Sequence, residues 1–422
     1  MSGKEKGRRK TTIFLALFLT SIAIIDTARF LKKVEDRTPT LKRWLPFAAE
    51  LGQDDRLYDR HPDYLYPPGF LVLLRPLTKV PLPVAAVIWQ LSKYLCIAAI
   101  FAASWRMVSE ERPLPLWGKV ATVILSARFL VSDLQHGNIN IYIAFLVIVS
   151  AWLLWTRREM LAGLLIALAA TTKVTPVLWG AFLLYKRRWR ALAGFFLGVV
   201  LFLEVLPLTV ISADLNHRLL GRWYQHVIIS FVSEGKIYST KMNQSLAAVT
   251  NRLLGREEWT GGEDTQVIAS LSDDAVTWIQ RAAGAALLFA AGYVCRGKWP
   301  ADDPMTLASH WGILAVIALA LSGYTWTGHF CVLILGICVM IAQYRRKVES
   351  RLMSASQIIG AISFGLIIFS GDIISRAGRQ FAAQIGLPLL SALLLGAALC
   401  LVVMGRRGST QSEDRPPLES AG

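Results

Sequence analysis

Apolar runs of roughly 17 to 25 residues, the length a bilayer asks of a helix, recur along this chain between short polar stretches. The pattern predicts spans at about 12–30, 82–107, 117–133, 138–156, 160–172, 174–186, 190–212, 277–296, 305–323, 328–344, 355–372 and 386–404. These make about twelve helices. Residues 69–80, "GFLVLLRPLTKV", are apolar but short and interrupted by Pro76, so they read as a re-entrant or interfacial segment. The expected fold is an all-α polytopic membrane bundle with residues 1–404 as one domain. Its larger polar connections are a first outer loop at about 31–68 and a long outer loop at about 213–275. The polar stretch 405–422 reads as a disordered cytoplasmic tail.

Charge fixes the expected orientation. The 45 basic residues outnumber the 29 acidic ones, a net charge of +16, but they fall in short clusters between apolar runs, such as "KEKGRRK", "YKRRWR" and "YRRK". That is the positive-inside pattern. It leaves both termini in the cytoplasm and argues against nucleic acid, which needs one continuous basic face. The first apolar run follows a basic leader without a convincing cleavage site and reads as a retained span rather than a removed signal. Of 422 residues 54% are hydrophobic, and the mean hydropathy of +0.46 agrees with a membrane protein. The five cysteines lie in or beside apolar segments without metal-ligand spacing, and so read as packing residues.

One residue breaks the pattern. In "LAGLLIALAATTKVTPVLWGAFLLYKRRWR", Lys173 interrupts an apolar stretch whose halves are each short for a full crossing. A lysine in hydrocarbon is costly, so a partner or a ligand is expected there. Broken helices are tolerated where irregular backbone lines a polar cavity. Thr172, Lys173 and Thr175 fall at the break, and Pro176 suits the first turn of a second half-helix whose free N–H groups face outward. A cation beside a helix N-terminus makes an anion site, with phosphate the obvious ligand. The competing reading is that Lys173 snorkels to the lipid headgroups.

Other polar positions map to the same expected outer face. "DLQHGNIN" offers Gln135, His136, Asn138 and Asn140 as partners for hydroxyls or phosphate, although Gly-Asn also serves as a turn. "KMNQSL" offers Asn243 and Gln244, with helix capping an equal explanation for this stretch. "GYTWTGHF" offers Trp326, which an aromatic belt also explains, and His329, which it does not. Tyr64 and Tyr66 beside Pro67 and Pro68 form either a wall for a sugar or isoprenoid or an interfacial anchor. Among the acids, Asp36 lies a few residues beyond the first span and Asp26 just inside its end. A carboxylate there can take a proton from a substrate hydroxyl.

The series "LY…YPPGFLVLLRPL", "HGNINIYIAFLV", "LAGLLIALAATTKVTPVLWGAFLLYKRRW", "NQSLAAVTNRL" and "SGYTWTGHFCVLIL" resembles the polyprenol-phosphate-mannose-dependent α-mannosyltransferases of glycosyltransferase family 87, which have the GT-C fold. The likeness runs in order from about Tyr58 to Cys331. It implies transfer of a hexose from a polyprenyl-phosphate-sugar donor to a lipid or glycan acceptor on the extracytoplasmic face, with inversion at the anomeric carbon. An acid of the first outer loop would be the base. Lys173 matches the family's Lys-x-x-Pro segment, and with the anion-site argument this makes Lys173, Thr172 and Thr175 the expected donor-phosphate contacts. Where the resemblance calls for an Asp before "LPFAAELGQDDRLY", this chain has Thr40, Leu41 and Lys42, so the base is expected at Asp36 or Asp26. "QHGN" likewise replaces the usual Gly-Gln followed by Asn. No metal motif is visible, and Lys173 can stabilise the leaving phosphate, so no cofactor beyond the lipid-linked co-substrate is expected. The alternative from another class is a transporter or flippase for a lipid-linked sugar, which would share the broken helix and buried cation.

Overall fold

The computed structural model describes residues 21, 23–37, 39–109, 113–233, 240–255, 268–346, 350–371 and 375–413, and among these every regular element is helical. Helix α1 covers 23–36, followed by α2 (Thr40–Glu50), α3 (Leu57–Arg60) and α4 (Pro68–Leu74). Next come α5 (Leu82–Met107), α6 (Leu116–His136), α7 (Asn140–Trp155), α8 (Glu159–Thr172), α9 (Val177–Tyr185) and α10 (Trp189–Val200). Then come α11 (Ala213–Trp223), α12 (Leu246–Leu254), α13 (Asp273–Val294) and α14 (Pro304–Leu321). The chain closes with α15 (Ile334–Gln343), α16 (Arg351–Phe369), α17 (Arg376–Gln384) and α18 (Leu387–Glu413).

Helices therefore stand where the apolar runs predict them, mostly to within a few residues. Five stretches are long and apolar enough to cross a membrane: Leu82–Met107, Trp189–Thr209, Pro304–Leu321, Arg351–Phe369 and Leu387–Arg407. Asn140–Trp155, Glu159–Thr172 and Thr327–Gln343 are apolar but shorter. Pro68–Leu74 passes into a 3-10 turn at Arg75–Lys79, which gives the stretch expected to be re-entrant a short helical form. Most of the expected first span, 12–20 and residue 22, lies outside the described residues, as do 234–239 and 256–267 of the long polar connection. Helix α18 continues past residue 404 to Glu413, and 414–422 also lie outside the described residues.

Polar caps set many of the boundaries. Ser212, Ser245, Ser272 and Ser350 each accept a backbone N–H from the first turn of the helix they precede, and Asp303 does the same for α14 with Pro304 behind it. The centre of the bundle is α14, 94% buried over its apolar window, together with α15, whose ten residues are all buried. Trp311 of α14 donates to the Val147 carbonyl at 3.1 Å, tying it to α7. A 3-10 stretch, Thr327–Leu333, leads into α15 and packs against both α6 and α7. Helices that expose large apolar side chains, such as Leu91 and Leu95 of α5, surround this core. Such an outward face suits lipid contact.

Helices α8 and α10 approach until backbone meets backbone. A Cβ at Gly163 would collide with the Ala191 carbonyl, and one at Gly194 with the Met160 carbonyl. Close crossing through small residues is how helices associate where lipid removes the hydrophobic drive. Gly194→Leu is expected to cost on the order of 3 kcal/mol by overpacking. Gly292→Ala, where nothing lies within 4 Å of a new Cβ, is expected to be neutral. Thermal unfolding of both variants in detergent checks this, and equal melting temperatures would contradict it.

Candidate functional site

The site is built on the turn between α6 and α7. Gly137 takes a left-handed conformation (φ 63°) and ends α6, so Asp133 in its last turn faces the start of α7. Asp133 Oδ1 accepts the Asn140 backbone N–H at 3.1 Å and its side-chain Nδ2–H at 2.9 Å. Oδ2 accepts the Ile141 N–H at 3.4 Å and the ammonium of Lys93, from α5, at 2.7 Å. The carboxylate thus caps α7 from the preceding helix while paired to a cation. Both charged side chains are fully buried. Gly328 belongs to the same packing, because a Cβ there would lie 3.3 Å from that of Asp133.

Asn140 passes the contact onward, its Oδ1 accepting from Lys173 Nζ at 2.9 Å. Lys173 has extended backbone (φ −142°, ψ 124°) at the end of α8. It lines a cleft with Asn140, Thr175, Pro176, Trp179, Thr325 and His329 that encloses about 380 Å³ of empty space, open mouth included. His329 Nδ1 accepts the Trp326 N–H at 3.1 Å, so in the neutral ring the proton rests on Nε2, which is a donor. Among the described residues Lys173 makes no ion pair within 4.0 Å, and its acceptor is a neutral amide.

The break differs from expectation in one respect. The first turn of α9 closes on itself: the N–H groups of Val177, Leu178 and Trp179 donate to the carbonyls of Val174, Thr175 and Pro176 at 3.0, 3.3 and 3.0 Å. These amides are occupied, so the cationic character of the cleft comes from Lys173 rather than from a free helix end.

The structure brings Asn140, Lys173, Thr175 and His329 into this cleft. Other predicted residues have different surroundings. The Thr172 hydroxyl bonds back to the Leu168 carbonyl at 2.7 Å. His136 is exposed with Nδ1 2.6 Å from the Ser132 carbonyl, Gln135 is half-buried, and Asn138 accepts the Ile139 N–H at 2.8 Å. Asn243 and Gln244 are buried and clamp their segment to the loop after α14. Asn243 Oδ1 accepts the Thr325 N–H at 2.9 Å, and the Gln244 N–H donates to the Thr325 carbonyl at 2.7 Å. Tyr64 is a fully buried ring packed on Tyr66, and half-buried Trp326 packs on Tyr324. Burial pushes the phenols of Tyr58, Tyr64 and Tyr66 above their ordinary range, so they remain neutral.

Of the acids, Asp26 accepts from the Tyr94 hydroxyl at 2.9 Å and from Gln90 at 3.4 Å, whereas Asp36 is exposed at the end of α1. Lys42, in the stretch where the resemblance calls for an acid, donates to the carbonyls of Val34 and Arg37 at 2.6 and 3.2 Å and so closes the C-terminus of α1. Lys93 and Gln90 were not singled out by sequence reasoning. A lysine in the middle of an apolar run was their available signal. A separate, open groove lies between Asp55, Asp59, Arg218 and Arg222, but its arginines are paired to carboxylates, Arg222 to Asp59 at 2.7 Å. Among the described residues no group of three His, Cys, Asp or Glu side chains is placed to hold a metal ion.

A helical membrane bundle with a partly buried cationic cleft at a helix break is the class that fold and site define. The chain belongs to glycosyltransferase family 87, whose model matches residues 64–323. That range includes Lys93, Asp133, Asn140 and Lys173, and ends just before His329. The chain is 25% identical over 297 residues to a polyprenol-phosphate-mannose-dependent alpha-(1-2)-phosphatidylinositol pentamannoside mannosyltransferase of Mycobacterium tuberculosis, covering 67% of this chain and 61% of that relative. To the protein of the same name from Mycolicibacterium smegmatis it is 27% identical over 210 residues, 48% of each chain. The chain thus spans about half to three fifths of the length of these curated relatives. No solved structure matches.

Removing one partner of a buried ion pair strands the other. Asp133→Ala is therefore expected to destabilise by about 3–5 kcal/mol, and Lys93→Met/Asp133→Asn, which removes both charges, to recover most of the loss. Thermal unfolding in nanodiscs checks the pair. A double variant no more stable than Asp133→Ala would contradict this account.

Proposed function

We propose that the protein is an inverting hexosyltransferase of GT-C architecture that moves a sugar, mannose on the strength of its relatives' names, from a polyprenyl-phosphate donor to a lipid or glycan acceptor. The observation that carries this reading is Lys173: a cation lining a cleft at a helix break, held by a neutral amide and free to meet a phosphate. In the proposed arrangement about twelve spans form one domain over 1–404 with 69–80 re-entrant, both termini are cytoplasmic, and the cleft opens to the extracytoplasmic side. The positive-inside distribution of basic clusters supports that orientation.

The chemistry follows from the charges. The bond between the sugar's anomeric carbon and the phosphate oxygen breaks, and negative charge develops on the phosphate. The ammonium of Lys173 stabilises that charge in a site partly shielded from water, with the Thr175 hydroxyl and His329 Nε2–H as further donors. An acceptor hydroxyl attacks the opposite face of the anomeric carbon and gives its proton to a carboxylate, which inverts the configuration and releases polyprenyl phosphate. Asp36 is the first candidate for this base because it is exposed, while Asp26 already accepts two hydrogen bonds. The donor's phosphate is itself the leaving group, so the reading includes no metal and no cofactor other than this co-substrate. The relatives are named for a phosphatidylinositol mannoside substrate, which favours a glycolipid acceptor here.

Transfer of radiolabelled mannose from polyprenyl-phosphate-mannose by the purified chain in nanodiscs tests the proposal. Lys173→Ala is expected to lower kcat/KM by about 100-fold or more, the scale of losing one preorganised donor. Asp36→Asn is expected to abolish turnover while donor binding remains. Activity in Asp36→Asn would move the base to another acid. Failure of the wild type to turn over any polyprenyl-phosphate hexose would overturn the enzyme reading.

A further inference from the structure

We propose that Asn140 is a positioning residue that sets the charge of the Lys173 cleft, by giving the lysine an acceptor that carries no charge. The proposal rests on the reading of Lys173 as the donor-phosphate contact. Two ammoniums and one carboxylate are joined through a single amide: Lys93 to Asp133 at 2.7 Å, Asp133 to Asn140 at 2.9 Å, and Asn140 to Lys173 at 2.9 Å. A carboxylate has no proton to donate and an ammonium has no lone pair. The amide therefore fits in one orientation, Nδ2 toward Asp133 and Oδ1 toward Lys173.

The order of groups decides which cation is neutralised. Asp133 directs its charge at Lys93 in direct contact, and among the described residues no other Asp or Glu is buried. Lys173, one amide further along, has a neutral hydrogen-bond partner and no carboxylate in direct contact. Of these three charged groups, the cation that lacks a carboxylate in direct contact is the one at the cleft. Aspartate at position 140 would have nearly the shape of asparagine, but would pair with Lys173 and remove the attraction for an anion. An aliphatic residue would leave the ammonium without an acceptor to orient it. Asparagine meets both demands. This role also engages both polar ends of a side chain that the sequence presents as a partner for hydroxyls or phosphate.

The carboxylate can be moved without changing the number of charges. In Asn140→Asp/Asp133→Asn the acid faces Lys173 and the amide faces Lys93. The probe is geranylgeranyl phosphate, titrated against the purified full-length chain in nanodiscs by intrinsic tryptophan fluorescence. Geranylgeraniol, the same chain without phosphate, is the reference ligand. The swap is expected to weaken phosphate binding by about tenfold or more while the alcohol stays within about threefold of wild type. A folded swap that binds the phosphate within about threefold of wild type would overturn the proposal. Equal weakening for both lipids would also overturn it, since disturbed packing would explain that result without charge placement.

Should the swap fail to fold, Asn140→Asp alone carries the test, because it sets a carboxylate against Lys173 and leaves Lys93 paired to Asp133. It is expected to weaken phosphate binding by about tenfold or more with the alcohol within about threefold of wild type, and unchanged phosphate affinity there would contradict the proposal. Lys173→Met separates the two layers of the argument. Unchanged phosphate affinity in Lys173→Met would sink the donor-phosphate reading itself. Loss there, with none in the swap, would sink the role of Asn140 alone.

Discussion

The buried carboxylate of Asp133 is the interaction on which the rest of the site depends. It neutralises Lys93 of α5, caps α7 through two backbone N–H groups, and holds the Asn140 amide that meets Lys173 at the end of α8. Four helices thus converge on one acid. Taking a carboxylate out of water is expensive, and it is tolerated when the charge is paired and the remaining lone pairs are filled. Here four donors from three residues, Asn140, Ile141 and Lys93, fill them. The 3-10 stretch carrying His329 completes the enclosure, with Gly328 against Asp133 and Phe330 stacked on Phe129 of α6 at 5.4 Å.

A second layer of contacts holds another part of the cleft lining. Thr325 lies in the lining, its backbone is held by Asn243 and Gln244, and its hydroxyl donates to the Leu319 carbonyl at 2.8 Å. Arg252, almost fully buried, donates to the carbonyls of Thr240, Asn243 and Ala383 and so joins α12 to the segment before it and to α17. The polar segment preceding α12 is therefore tied into the bundle beside the cleft. On the proposed function the site holds a phosphate and a sugar in fixed relation, and walls that do not drift favour that.

Much of the helical arrangement was legible in the chain as a linear pattern. The run expected at 82–107 is Leu82–Met107, and the break expected around Lys173 falls between Thr172 and Val177. Lys173 itself was legible because an ammonium among apolar residues contradicts its surroundings. Its partner was not, since Asn140 lies 33 residues earlier and polar residues in a turn have many uses. Lys93 carried the same contradiction in "WQLSKYLC", but its acid is 40 residues away in a stretch that reads as a loop. Asn243 and Gln244, for which the sequence offers both ligand contact and capping, are buried and hold the Thr325 backbone. Local pattern identifies which residues need explaining, and only three-dimensional contact says what satisfies them.

The account stands most directly on where a lipid phosphate binds. A cryo-electron microscopy structure of the full chain in nanodiscs with a polyprenyl phosphate would locate it. The prediction is phosphate density within hydrogen-bonding distance of Lys173 Nζ, in the cleft shared with Thr175 and His329, and an isoprenoid chain leading toward lipid. Phosphate density elsewhere, for example against Arg218 and Arg222, with the Lys173 cleft empty, would contradict it.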